Sequence, residues 1–222
     1  MSGTGVKVWD LFIRVFHWSL VILFVVTYFT GEEENTLHIY AGYAIGVLIV
    51  ARFVWGFVGP KHAQFSDFVR RPSEVTGYMM AMLSGKAPHY DGHNPAGGYM
   101  VVALLTMIAV TTITGLKVYG EEGYGPLAGD MSVITVAYAD ADADADDDDE
   151  REGYENREED EHESGEGESG EEFWEEIHEV AANITMLLII LHILGVIVSS
   201  RMHRENLVKA MITGVKEPLD KS

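Results

Sequence analysis

The chain is 222 residues long, with a net charge of −20, close to half of its residues hydrophobic and no cysteine. Without thiols there is no disulfide, no cysteine-held iron–sulfur cluster and no thioether-attached cofactor, which needs C-x-x-C-H. The acidity is local: residues 118–176 hold 24 acidic and 2 basic residues, and the remainder is near neutral.

Four apolar stretches, Leu11–Thr30, Leu37–Val58, Gly98–Leu116 and Glu179–Ser200, are each long enough to cross a bilayer. Glu179 stands only at the entrance of the last. The first follows Lys7 and could pass for a signal peptide, but it is long, aromatic and lacks a small-residue cleavage site, so it is expected to be retained. The turn Gly31–Thr36 is short and makes the first two spans antiparallel neighbours. Gly42 and Gly46 in span two make a G-x-x-x-G spacing, which admits close approach of a helix or a flat macrocycle.

The connection from Gly59 to Asn94 is basic, and Pro72-Ser73-Glu74 reads as the start of a short interfacial helix to Leu83. Gly92-His93-Asn94-Pro95 reads as the turn into span three. After it comes a low-complexity segment, Ala139-Asp140-Ala141-Asp142-Ala143-Asp144 and four more aspartates, that cannot bury enough apolar surface to fold alone. Order is expected to resume near Phe173-Trp174. Beyond span four, Arg201–Gly214 has the spacing of a second interfacial helix.

The organisation expected is therefore 1–117 for three spans and their connection, 118–176 for the acidic segment, and 177–222 for the fourth span and tail. Twelve of the fifteen Lys/Arg fall on the side of the two termini and the 59–94 connection. The positive-inside rule places that side in the cytoplasm and the acidic segment outside, in a bacterial inner membrane. Trp9 and Trp55 would mark the inner interface and Trp174 the outer one.

Histidine carries the chemistry. His178 and His192 are fourteen residues apart on one span. At about 100° and about 1.5 Å per residue they return to within roughly 40° of one face, about 21 Å apart along the axis. His17 lies near the inner end of span one, at the depth of His192, and His38 opens span two at the outer depth of His178. Intramembrane histidines are costly unless functional. Four of them at two matched depths fit two bis-imidazole iron sites stacked across the bilayer, the layout of a di-haem electron carrier. Arg52, fourteen residues after His38, falls on the same face at the inner level, and Arg14 is three residues before His17. Both are candidates for pairing haem propionates, and snorkelling to the interface is the competing reading. His62, His89, His93, His162 and His203 read as surface residues, His93 being the one that flanks the inner site.

The set Arg14-x-x-His17-Trp18, His38-x-x-x-Gly42-Tyr43, Gly92-His93-Asn94-Pro95 and His178…His192-x-x-Gly195 resembles the prokaryotic b561-type cytochromes. That family includes the b-type cytochrome subunits of nickel–iron hydrogenases. The resemblance covers the four spans and the 59–94 connection, and it implies an all-α integral membrane four-helix bundle with two stacked b haems. By resemblance the haem ligands are His17, His38, His178 and His192, and electrons are exchanged with the quinone pool. The acidic segment departs from the family pattern, in which this connection is shorter and less charged.

The function expected is electron transfer across the membrane between quinone and an extracytoplasmic redox protein, such as a basic c-type cytochrome or an oxidoreductase subunit. Such a chain is a subunit of a respiratory system rather than a self-sufficient enzyme. Two alternatives stay open: a stand-alone quinol oxidoreductase using oxygen or a small acceptor, and a metal-binding or transport protein holding zinc or copper. No nucleic-acid partner is expected, and association with a second copy is left open. The acidic segment has three readings: steering a basic partner, weak divalent-cation binding, or a solvated spacer.

Overall fold

The computed structural model describes residues 5–31, 36–128 and 163–216, with side chains from residue 172 onward in the last stretch. The 32–35 turn, His162 and the acidic run at 129–162 lie outside the described residues. Four helices are long and apolar enough to cross a membrane: α1 (Leu11–Phe29), α2 (Thr36–Val58), α5 (Pro95–Glu121) and α6 (Glu163–His203). Between α2 and α5 come a 3₁₀ turn at Lys61–Ala63, α3 (Phe65–Phe68) and α4 (Pro72–Leu83). A final helix, α7 (Leu207–Thr213), closes the chain. The chain is a helical, multi-pass membrane protein.

The chain divides into two units, residues 1–112 with 180–222 and residues 113–179. In the larger unit, Asp10 caps α1 by accepting from the Ile13 amide at 3.1 Å. Its other oxygen accepts from the Trp55 indole of α2 at 3.4 Å, so one carboxylate starts the first helix and ties the second to it. α1 buries Ile13 and Phe16, and His17 is the next position of that stripe. α2 buries Ala41, Ile45, Arg52 and Gly56, a stripe that also contains His38.

At the end carrying both termini, Val8, Trp9, Ile13, Ala63 and Ala210 form a core, with Phe12, Trp55 and Met211 against it. Trp9 belongs to this cluster and Trp55 packs against it. The Gly214 carbonyl accepts from Val8 and Trp9 at 2.9 and 3.1 Å. Short strands β1 (Val6–Lys7) and β2 (Val215–Lys216) pair antiparallel beside it, an addition to an otherwise helical chain.

Three boundaries differ from the sequence reading. α6 begins at Glu163 rather than near Phe173, where glutamates near an N-terminus favour helix through the dipole. Arg201–His203 finish α6 rather than opening the tail helix. The break is a left-handed Arg204, φ 52°, and the Glu205 amide reaches back to the Ser200 carbonyl at 3.0 Å, a Schellman-type stop. α5 starts at Pro95, where the Asn94 side chain accepts from the Gly97 amide at 2.7 Å, and it runs on to Glu121.

Candidate haem-binding site

Four polar side chains from separate segments converge in the larger unit: His17 of α1, Arg52 of α2, His93 before α5 and His192 of α6. His17 and His192 stand close enough to interact electrostatically, and His93 senses both Arg52 and His192. The structure thus brings the inner histidine pair together. Buried Nδ1 of His17, Nη1 of Arg52 and Nδ1 of His93 have no hydrogen-bond partner among the described residues. Buried polar atoms are nearly always paired, so three orphans in one cluster mark a place built around a polar ligand.

Arg52 is 3 % exposed and lies 5.1 Å from the centroid of the Phe65 ring. Gly56, one turn further on, makes this contact available, since a Cβ there would collide with the Phe65 ring. Gly98 plays the same part at the base of α5, where a Cβ would run into the Phe68 carbonyl. The His93 ring is clamped between Trp9 and Phe68, with centroids at 4.6 and 4.8 Å. Its pKa is pushed down to about 3, first by burial and then by the nearby Arg52, Lys216 and His192, against an opposing pull from Asp67. His93 is therefore a neutral ring at physiological pH.

Arg14 reaches elsewhere. Its Nη1 donates to the Ile212 carbonyl at 2.7 Å and its Nε to the Asp10 carbonyl at 3.4 Å, holding the tail against α1.

His38, also in the larger unit, places Nδ1 3.0 Å from the Thr27 carbonyl. A backbone acceptor there fixes the tautomer with its lone pair on Nε2, the form that ligates metal. In the smaller unit, His178 Nδ1 lies 3.2 Å from the Thr114 hydroxyl. A Cβ at Gly115 would come 2.8 Å from His178 Cε1, so the ring lies this close to α5 only because residue 115 is glycine. Thr27, Thr114 and Gly115 carry no signal in a single sequence, being ordinary residues in apolar runs.

The donor set fits a haem. Imidazoles from separate helices suit axial ligation, and an enclosed guanidinium suits a propionate. A Cβ at Gly42, one turn after His38, or at Gly195, three residues after His192, would meet nothing within 4 Å, so neither turn opposes a flat macrocycle. Gly46 instead faces the Thr112 methyl at 3.3 Å, giving the G-x-x-x-G pair one helix-facing member.

All four of the described histidines read as surface residues are engaged, His93 by the enclosure between Trp9 and Phe68. His62 pairs with Asp67 at 3.0 Å, and His89 with Glu205 at 2.6 Å. His203 Nε2 lies 3.5 Å from the Tyr78 hydroxyl. Each joins segments far apart in sequence or closes a short loop, which local patterning does not report.

Residues 8–214 match the model of the family described as prokaryotic cytochrome b561. Among similar curated proteins are probable Ni/Fe-hydrogenase B-type cytochrome subunits of Azotobacter vinelandii, 30% identical over 53% of this chain and 61% of the relative, and of Rhodobacter capsulatus, 28% identical over 53% and 56%. That of Cupriavidus necator is 26% identical over 54% and 62%. The chain spans about three fifths of the length of the curated relatives it matches. No solved structure matches it. With that match running over nearly its whole length, the chain belongs to the prokaryotic cytochrome b561 family.

Proposed function

We propose that this membrane electron-transfer cytochrome carries electrons between the quinone pool and an extracytoplasmic redox protein through two b haems. One is held by His17 and His192, the other by His38 and His178. The observation that carries the reading is the cluster of orphaned buried donors around His17 and Arg52. The pairing of His38 with His178 rests on their matched depth in the sequence and on the hydrogen bond each makes within its own unit.

A haem held by two neutral imidazoles supplies one-electron exchange with no open coordination position. The protein's part is to orient and to tune. Thr27 and Thr114 hold the rings of His38 and His178, Gly115 lets the latter lie close to α5, and Arg52 compensates negative charge at the inner site. Arg14 supports the same level by securing the tail at Ile212.

Both termini and the 59–94 connection would face the cytoplasm, following the distribution of Lys and Arg. Quinone would exchange electrons at that end, beside the basic connection. The relatives' name makes a nickel–iron hydrogenase the leading kind of partner. Residues 118–176, at net −22, would draw a basic partner surface by long-range attraction that salt screens.

Purified chain titrated with quinol, with and without quinone-site inhibitors, tests the reading. Inhibitors should alter the redox behaviour of the His17/His192 haem and block quinol oxidation. No effect on either would remove the quinone. Deleting residues 140–168 should slow electron exchange with a basic partner steeply at low salt, and a salt-independent rate would remove the steering role.

A further inference from the structure

We propose that Arg52 and His93 together form a two-donor seat for one ionised carboxylate, and that this carboxylate is a propionate of the haem carried by His17 and His192. The inference rests on the haem reading above and adds to it a residue, His93, and a specific chemistry.

Arg52 is enclosed, at 3 % exposure, and makes no ion pair with any described carboxylate. The Asp10 carboxylate is near enough to interact with it, but its two oxygens accept from the Ile13 amide and the Trp55 indole, and the Phe65 ring offers only its face. Nη1 of Arg52 is left without a partner among the described residues, and the acceptor that suits an enclosed guanidinium best is an anion. Beside Arg52 stands a second donor. The His93 ring cannot turn away, because Trp9 and Phe68 hold it from two sides, and its Nδ1 is enclosed without a partner among the described residues. With the ring proton on Nδ1, His93 and the nearby Arg52 present two enclosed donors, and a single acidic oxygen between them satisfies both.

Charge selects among the acceptors. With His93 neutral, its pKa at about 3, the pair carries one positive charge and matches one carboxylate. A quinone carbonyl is neutral and is the weaker acceptor for a guanidinium than a carboxylate. A haem ligated at His17 and His192 brings a carboxylate to the level of Arg52, since all three side chains belong to the same cluster.

The test uses the full-length, haem-loaded chain in detergent, extracted of quinone. Resonance Raman spectra report hydrogen bonding to propionates directly through their bending band, and a redox titration gives the midpoint potential of each haem. The outer haem is identified as the one lost in His178→Ala. His93→Ala should shift the propionate band and lower the midpoint of the inner haem alone, because the propionate charge is then less neutralised. His93→Gln, which keeps an N–H donor, should lie closer to wild type on both readouts. Arg52→Gln should move both further in the same direction. An unshifted band and midpoint in His93→Gln and His93→Ala overturn the proposal. So does a change that appears only when a quinone is added back, which would assign the donors to quinone. A wild-type chain with no haem would instead fail the underlying reading, a result distinct from either.

Discussion

Thr111 of α5 and Thr185 of α6 meet hydroxyl to hydroxyl at 3.3 Å. Thr185 is fully buried, and it stands seven residues after His178 and seven before His192. Its hydroxyl also donates to the Ala181 carbonyl at 2.8 Å. A polar joint between two helices thus sits midway between two histidines on one face, where a seven-residue repeat also takes in buried Ser199.

Thr185→Val keeps the shape and removes the joint. The expected loss is about 1 kcal/mol, the usual net worth of a hydrogen bond, seen as a lower melting temperature in detergent. Thr185→Leu adds volume where none is available and should cost about 1–3 kcal/mol.

Gly115 is the second test of local geometry. Any side chain there pushes the His178 ring from α5, since even a Cβ comes within 2.8 Å of it. Gly115→Val should therefore release the haem assigned to His178 while the other remains. Quantitative reduced-minus-oxidised spectra should show about half the wild-type haem per chain, by the separation of the two ligand levels. Full haem content in Gly115→Val would mean that the ring position does not matter to binding.

Glu205 links the inner connection to the tail. It accepts from His89 at 2.6 Å and pairs with Lys216 at 3.4 Å, with both Glu205 and Lys216 less than a tenth exposed. Lys216 also donates to the Tyr90 carbonyl at 2.9 Å. Glu205→Ala leaves an uncompensated buried ammonium, a loss of about 3–5 kcal/mol in comparable buried pairs. The tail should become sensitive to protease in the variant, whereas Glu205→Gln, which can still accept from Lys216, should lose less.

His93 makes stability depend on acidity. Its folded pKa is about 3 against an ordinary value of 6.5, so the unfolded chain binds a proton in this window that the folded chain refuses. The stability contributed is complete above pH 6.5 and is lost as pH falls from there toward 3. His93→Gln removes the titration and should flatten the acid side of the stability profile. An unchanged slope between wild type and variant would show that position 93 does not titrate in this way.

Much of this architecture is legible in the residues alone. The four spans show as apolar runs, and Gly92-His93-Asn94-Pro95 reads as the turn into α5, although the apolar run begins only at Gly98 and leaves out the first turn, which Asn94 caps. Arg52 and His192 follow from helical arithmetic on His38 and His178, because a helix returns to its face every seven residues or so, and His17 follows from its depth in the first span. What the sequence does not show are the contacts between distant segments. Nothing local says that Trp9 covers His93, that Arg14 turns to Ile212, or that Glu205 meets His89. The β1–β2 pair is two residues a side and has no periodicity to read. The stop at Arg204 has no sequence signal for a plainer reason: it uses a left-handed arginine where glycine is the usual residue.

In the proposed function, four histidines hold two six-coordinate haems. The most direct measurement is the haem-to-protein ratio of the purified chain, with spectra taken oxidised, dithionite-reduced and under carbon monoxide. Two low-spin b haems per chain are expected, with a reduced spectrum that carbon monoxide leaves unchanged. One haem per chain, or a haem that binds carbon monoxide, would contradict it.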